Sequence, residues 1–220
     1  MTRSLPLVYS NNEYTILTFR SSYLKSNSYV VEVGQTVFVV DTGFNDEVLL
    51  GYLTEKHKSV AAVFLTHAHF DHAGTANAIA KEFSAPVFLM ESDERILKQN
   101  NFLLKALGQP PDFVMPECEY VQDGFVFSDF QFHSCPGHTP GSAFITFRNI
   151  VFTGDSVYAD GISLVSLPGE NESALQASLN RHKTLLIQSA SVFPGHGPFC
   201  SGTDLFEKNT QLINFLQRAT

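Results

Sequence analysis

Short apolar runs of strand length dominate the first forty residues. Tyr14–Phe19, Ser28–Val33 and Thr36–Val40 read as strands, the last two joined by a turn at Gly34-Gln35. Val60–Leu65 (VAAVFL) is apolar without alternation, the pattern of a strand covered on both faces. Between and after these, Asp46–Lys56 and Ala73–Phe83 have helical character, and Pro86–Met90 is a further strand. Ser92–Leu107 places Ile96, Leu97, Asn100, Leu103, Leu104 and Leu107 at helical spacing, and Gly108 with Pro110-Pro111 stops it. The second half repeats the order. Gly124–Phe127, Phe130–His133, Ala143–Phe147 and Ile150–Phe152 are predicted strands, followed by a helix over Glu172–Ile187 with Leu175, Leu179, His182 and Leu186 along one stripe. Ser191–Phe193 is a last short strand, and Asp204–Gln217 a closing helix with an Asp204/Glu207 capping box. Strands followed by helices, twice over, predict an α/β (α+β) arrangement of two sheets packed face to face with helices outside. No linker, repeat or low-complexity tract interrupts residues 1–220, so one domain is expected.

Composition narrows the partners. Hydrophobic residues are 44% and charged residues 16%, which suits a filled core and argues against disorder. The net charge of −8 and the lack of any Lys/Arg run leave no basic stripe for a phosphate backbone, so a small-molecule substrate is expected and nucleic acid is not. No stretch approaches membrane-span length, and the first residues lack the apolar core of a signal peptide. Cys118, Cys135 and Cys200 are odd in number, scattered and without a C-x-x-C, as expected of reduced thiols in a cytoplasmic protein. Oligomeric state is not readable. Twenty Phe and no Trp bear on packing more than on chemistry.

The candidate chemistry begins directly after the buried strand, at T66-H-A-H-F-D-H72. Three imidazoles and a carboxylate within six residues supply neutral nitrogen and anionic oxygen ligands suited to Zn²⁺ and similar divalent ions. His67 and His69, two residues apart on an extended turn, can share one ion; Asp71 and His72 then point elsewhere and imply a second. Three more residues share this character. His138 lies in C-P-G-H-T-P-G-S, Asp155 in F-T-G-D-S after a strand, and His196 in F-P-G-H-G-P. A single loop histidine is more often solvent-facing than ligating; recurrence beside turn-forming residues carries the inference. His57, His133 and His182 lie on predicted helices or away from the turn motifs, and packing or surface exposure accounts for them.

The order HAHFDH, PGHTPGS, TGD, PGHG resembles the metallo-β-lactamase-fold hydrolase superfamily, in its glyoxalase II-like and lactonase-like branch. The resemblance implies an αββα sandwich of two mixed sheets with the site at one edge. It implies one metal on His67, His69 and His138, a second on Asp71, His72 and His196, and Asp155 bridging them. Two Zn²⁺ ions per chain are expected, with iron or manganese as alternatives. Asp41, in V-D-T-G, matches a carboxylate that orients a ligand imidazole and fixes its tautomer. A pair of divalent ions lowers the pKa of a shared water, so the implied reaction is hydrolysis by a bridging hydroxide, with Asp71 orienting the nucleophile.

The bond cut is expected to be ester-like, foremost a thioester, as in glyoxalase II or an acyl thioesterase. The sequence departs from glyoxalase II proper after Asp155, where D-S-V-Y-A-D-G-I-S replaces a Gly-Cys-Gly-Arg type of stretch. A lactonase is the alternative: acyl-homoserine lactonases place a Tyr three residues after the bridging Asp, and Tyr158 stands there, able to donate to the substrate carbonyl. A single-iron persulfide dioxygenase, a β-lactamase and a non-catalytic scaffold follow, each fitting the seven-residue set less well. Lys98–Glu119 and Ala159–Asn171, rich in Phe, Leu, Pro and Gly, are the candidate substrate loops and suggest an apolar acyl pocket.

Overall fold

The computed structural model describes residues 7–57, 59–163 and 169–218. The first sheet has seven strands in sequence order: β1 (Leu7–Ser10), β2 (Thr15–Arg20), β3 (Asn27–Val33), β4 (Thr36–Val40), β5 (Ala62–Phe64), β6 (Val87–Met90) and β7 (Glu119–Val121). β1 to β4 run antiparallel, and β4 to β7 run parallel. Helices α1 (Glu47–Lys56), α2 (Phe70–Ala73), α3 (Ala76–Phe83) and α4 (Glu94–Ala106) fill the crossovers. The second sheet is built from β8 (Val126–Phe127), β9 (Phe130–Ser134), β10 (Ala143–Phe147), β11 (Ile150–Gly154) and, beyond a two-stranded ribbon of β12 (Val157–Tyr158) and β13 (Gly161–Ile162), β14 (Ser191–Pro194). Its outer face carries α5 (Glu172–Arg181), α6 (Lys183–Gln188), α7 (Gly202–Lys208) and α8 (Thr210–Gln217).

Period-two alternation sorts each strand between layers. On β4, Phe38 and Val40 enter the space between the sheets, whereas Val37 and Val39 meet Leu49, Leu53 and Ile79 under the outer helices. On β10, Ile145 and Phe147 face inward and Phe144 packs outward on Leu179 and Leu186. β5 lies between two parallel neighbours, with Ala62 and Phe64 on one side and Val63 on the other, as its unbroken apolar run predicts. Rings fill the middle layer: Phe130 has its centroid 4.9 Å from Phe38, 4.6 Å from Phe64 and 4.7 Å from Phe147.

Several boundaries differ from the sequence-based expectation. The Glu172–Ile187 helix breaks at His182 (φ −95°, ψ 8°), and its two halves are α5 and α6. The closing helix breaks at Asn209, whose side-chain oxygen caps α8 through the Leu212 amide. The predicted Asp204/Glu207 capping box does not form: α7 starts earlier, with Ser201 Oγ accepting from the Asp204 amide at 3.0 Å. Edge strands β1 and β7 and the β12–β13 ribbon lie outside the predicted set because their short mixed sequences are held by pairing rather than by pattern. Among the described residues no helix is long and apolar enough to cross a membrane.

Parallel pairing sets where the chemistry falls. The C-terminal ends of β4, β5, β11 and β14 and the N-terminal ends of β3 and β10 meet at one edge of the sandwich. Because the central rings hold that edge together from inside, Phe130→Ala should lower stability by about 3–5 kcal/mol, read as a shifted midpoint in urea.

Candidate metal centre

The strand ends bring all seven predicted ligands together. His67, His69 and His138 form one group of three in which the ligand atoms lie within 4.8 Å of one another; Asp71, His72 and His196 form a second, and His67, His72 and Asp155 a third between them. His67 and His69 lie in the loop after β5, while Asp71 and His72 occupy the short helix α2, where the His72 ring packs 4.3 Å from that of His67. His69 Nδ1 is 2.9 Å from His138 Nε2. Asp155 faces both sides: Oδ1 is 3.3 Å from His72 Nε2, and Oδ2 is 3.3 Å from His196 Nε2 and 3.8 Å from His138 Nε2. Asp71 Oδ2 lies 3.6 Å from His72 Nε2 and 3.5 Å from His196 Nε2.

Outer partners aim these rings. Asp41, at the end of β4, holds a left-handed backbone (φ +54°), which points its buried carboxylate back across the edge. One oxygen accepts from the Thr66 amide at 2.8 Å; the other meets Thr66 Oγ1 at 2.8 Å and His72 Nδ1 at 2.9 Å. Thr66 Oγ1 in turn lies 3.1 Å from His67 Nδ1, and Ser163 Oγ 3.1 Å from His138 Nδ1. His67, His72 and His138 thus each spend one nitrogen on the surrounding frame and offer the other to the centre, as metal-ligating histidines do. His67 Nε2, His72 Nε2 and Asp155 Oδ1 are buried without a hydrogen-bond partner. Three converging orphaned ligand atoms are costly unless a cation completes them, so the residues fit divalent metal.

Electrostatics divides the rings. Burial, reinforced by neighbouring imidazoles, holds His67 well below its ordinary pKa and lowers His69 to about 3; burial also lowers His138. These three are neutral and have lone pairs to give. Burial opposes charge on His72 as well, but Asp155, Asp71 and Asp41 outweigh it and raise the pKa; His196 is raised to about 9, chiefly by hydrogen bonding to Asp155 and Asp71 against its burial. The reverse holds for Asp155 and Asp71, which stay ionised despite burial because His72 and His196 face them.

Glycines let the loops close. A Cβ on Gly195 would sit 2.0 Å from Asp155 Oδ1, and one on Gly154 (φ +50°) 2.4 Å from Thr66 Oγ1. Several contributors lie outside the predicted set. Ser26 Oγ donates to the Asp71 carbonyl at 2.6 Å, and Asn27 Nδ2 to the Pro194 and Gly197 carbonyls at 3.0 and 2.9 Å, bracing the loop of His196. Asp93, ahead of α4, makes no helix-cap bond. Its buried carboxylate accepts from the Ala68 amide (2.7 Å), Thr139 Oγ1 (2.9 Å) and the Gly141 amide (2.6 Å), tying the loop of His67 and His69 to that of His138. Its S-D-E context reads as any acidic helix start, so only the folded contacts reveal it.

Tyr158, on β12, stands edge-on to His196 with ring centroids 6.0 Å apart. Burial and then the charge on Asp155 push its phenol above the ordinary range, so it stays a proton donor. His57 pairs with Glu32, His133 with Thr146 and His182 with the Ser134 carbonyl, away from the cluster. All three cysteines are free, Cys135 buried and Cys118 and Cys200 partly so. Of the candidate substrate loops, Lys98–Ala106 is helical within α4, and residues 164–168 of Ala159–Asn171 lie outside the described residues.

Asp41→Asn exchanges an acceptor of three donors for a half-amide, and metal affinity should fall about 10–100-fold, measured by competition with a chromogenic chelator. Metal loading should also release protons at pH 7, because His72 and His196 must give theirs up to ligate. The yield should shrink as pH rises through about 9, where His196 is already neutral; an indicator dye in weak buffer reads it.

Comparison with known proteins identifies relatives of the chain. YqgX of Bacillus subtilis (strain 168), a probable metallo-hydrolase, is 26% identical over 184 residues, covering 80% of this chain and 86% of that one. The hydroxyacylglutathione hydrolase GloC of Haemophilus influenzae is 24% identical over 187 residues, 81% and 88% of the two chains. Among solved structures, TTHA1623 in a di-iron-bound form superposes with a TM-score of 0.78 at 27% identity, over 94% of this chain and 99% of that one. The BLEG-1 B3 metallo-β-lactamase superposes at 0.80 and 26% identity, over 92% and 100%. The profile described as the metallo-beta-lactamase superfamily matches residues 23–203, a span that contains all seven clustered ligands and Asp41. The chain belongs to the metallo-β-lactamase superfamily of metallo-hydrolases.

Proposed function

We propose that this protein is a dinuclear metal-dependent hydrolase that cleaves thioesters. The carrying observation is the placement of Asp155, whose two oxygens face His72 on one side and His196 and His138 on the other. A carboxylate so placed suits two ions: His67, His69 and His138 would hold one, Asp71, His72 and His196 would hold the other, and Asp155 would serve both. Bound there, the ions would supply Lewis acidity and a water of lowered pKa. Zinc is the metal we favour for a histidine-rich site, with iron the alternative that di-iron TTHA1623 supports.

The chain's own residues do the rest. Neutral His67, His69 and His138 add no charge of their own, so their side of the centre stays electrophilic. The carboxylate of Asp71 orients the attacking water through its second oxygen. Tyr158, protonated and at the rim beside His196, donates to the carbonyl oxygen as negative charge builds on it. The thioester reading draws support from GloC, which acts on hydroxyacylglutathione. Tyr158 favours a second reading, a lactone, since a phenol at that position serves an ester oxygen as well as a thioester carbonyl.

A panel of thioesters, lactones, phosphodiesters and β-lactams should show thioesters turned over fastest. Turnover should vanish on chelation and return with up to two equivalents of metal; saturation at one would remove the dinuclear reading. Tyr158→Phe, at unchanged metal content, should lower kcat by on the order of 10²–10³ at the strong end. An unaltered kcat and KM would take Tyr158 out of the reaction.

A further inference from the structure

Beside the loop of His138 lies a second feature that the hydrolytic reading leaves unused. A cleft of about 190 Å³ is lined by Ser92, Arg95, Ile96, Gln99, Pro140 and Gly169. Its position is fixed relative to the metal centre. Pro140 is two residues from His138, and Gly169 precedes Glu170, whose buried carboxylate lies 4.0 Å from His138 Nδ1. The wall formed by α4 is bolted to the same loops: Asp93 holds Ala68, Thr139 and Gly141, and Asn100 Nδ2 donates to the Ala68 carbonyl at 2.7 Å. Arg95 therefore sits at the start of a helix that is tied to both histidine loops.

Arg95 is also uncommitted. The acidic residues nearest in sequence are engaged elsewhere: Glu94 takes Lys98 at 2.7 Å, and Glu91 accepts from Gln122 at 3.2 Å. Asp93 is occupied by its three donors, and among the described residues Arg95 has no ion pair or hydrogen bond. A guanidinium with open donors, over the partly apolar walls of Ile96 and Pro140 and beside the polar ends of Ser92 and Gln99, matches a planar anion at the end of a short chain. Net charge gives this weight. The protein carries −8 overall, so a cation at the cleft offsets the long-range repulsion that an anionic substrate meets at the surface.

We infer that the cleft at Arg95 is a specificity subsite for a terminal carboxylate or similar anion on the substrate, which makes the substrate class an anion-bearing acyl thioester. This rests on the hydrolytic reading for its substrate, though not for its ligand chemistry. The anion can belong to the acyl half or to the thiol half, and Arg95 reads it in either case.

The test compares three thioesters on the metal-loaded protein: a succinyl thioester of a neutral thiol, a butyryl thioester of 3-mercaptopropionate, and a butyryl thioester of the corresponding neutral mercaptopropionamide. One of the two anionic substrates should exceed the neutral one by about 10–100-fold in kcat/KM, mainly through KM, as expected for charge-assisted hydrogen bonds. Which one does so assigns the anion to its half. Arg95→Ala should bring that ratio close to one, and Arg95→Lys should keep part of it. Binding is measured separately by ligand-detected NMR, with non-hydrolysable thioethers matching both halves: S-butyl-3-mercaptopropionate and 4-(butylthio)butanoate, each against its amide. One carboxylate should bind more tightly than its amide, and only when Arg95 is present. If nothing is hydrolysed but this Arg95-dependent binding is found, the subsite stands and the thioester reading falls. Equal handling of charged and neutral compounds overturns the subsite. So does a preference that survives Arg95→Ala, since that places the anion on the metals.

Discussion

Three carboxylates share one buried edge of this molecule: Asp41 is 1% exposed, Asp71 6% and Asp155 8%. Ionised groups this deep need donors or positive charge against them. Asp41 is answered by the Thr66 amide and hydroxyl and by His72. Asp71 and Asp155 face imidazoles instead, and His72, itself fully buried, stands between all three. Protons on His72 and His196 can supply the positive charge, and so can divalent ions ligated by the same nitrogens. The competition between protons and metal is therefore built into the packing of the edge, and the groups that stabilise the fold there are the groups that would do chemistry.

Such a cluster is tolerable only if the backbones around it do not move. The middle layer supplies that rigidity mainly from phenylalanine rings, which need no hydrogen-bond partners, and its two buried tyrosines place their hydroxyls on Asn149 and the Pro194 carbonyl. Close approach at the edge is then set by absence of side chain. Gly195 lets the β14 loop lie against Asp155, and Gly154 lets the end of β11 lie against Thr66. Tyr29 and Asn27 add the last restraint, both donating to the Pro194 carbonyl beneath the loop of His196.

Much of this was legible in the chain. The strands with strict alternation or unbroken apolar runs, the dense His/Asp run of residues 67–72, and His138, Asp155 and His196 beside Gly carry strong local signals. Asp41 was legible by resemblance alone. What stayed hidden was set by contacts across the fold. Helical periodicity runs straight through His182 and Asn209, yet Asn209 turns its side chain to the Tyr158 and Gly161 carbonyls as well as capping α8, and the helix breaks there. Asp93 looks like a helix-start acid, and its role depends on loops that arrive from residues 68 and 139–141.

On the reading proposed above, the start of α4 separates chemistry from selectivity within one short segment. Asp93 and Arg95 are two residues apart, which on a helix places them about 200° apart around the axis. Asp93 is buried against the ligand loops, and Arg95 is exposed to the cleft. A change at Asp93 removes an acceptor from three buried donors at once and loosens both histidine loops. A change at Ser92, Arg95 or Gln99 alters a surface wall, where substitutions usually cost within about 0.5 kcal/mol. The lining of the cleft is thus free to vary in charge and size while the metal loops stay fixed. In physical terms, such a scaffold can change what this surface cleft accepts without disturbing the buried contacts by which Asp93 braces the histidine loops.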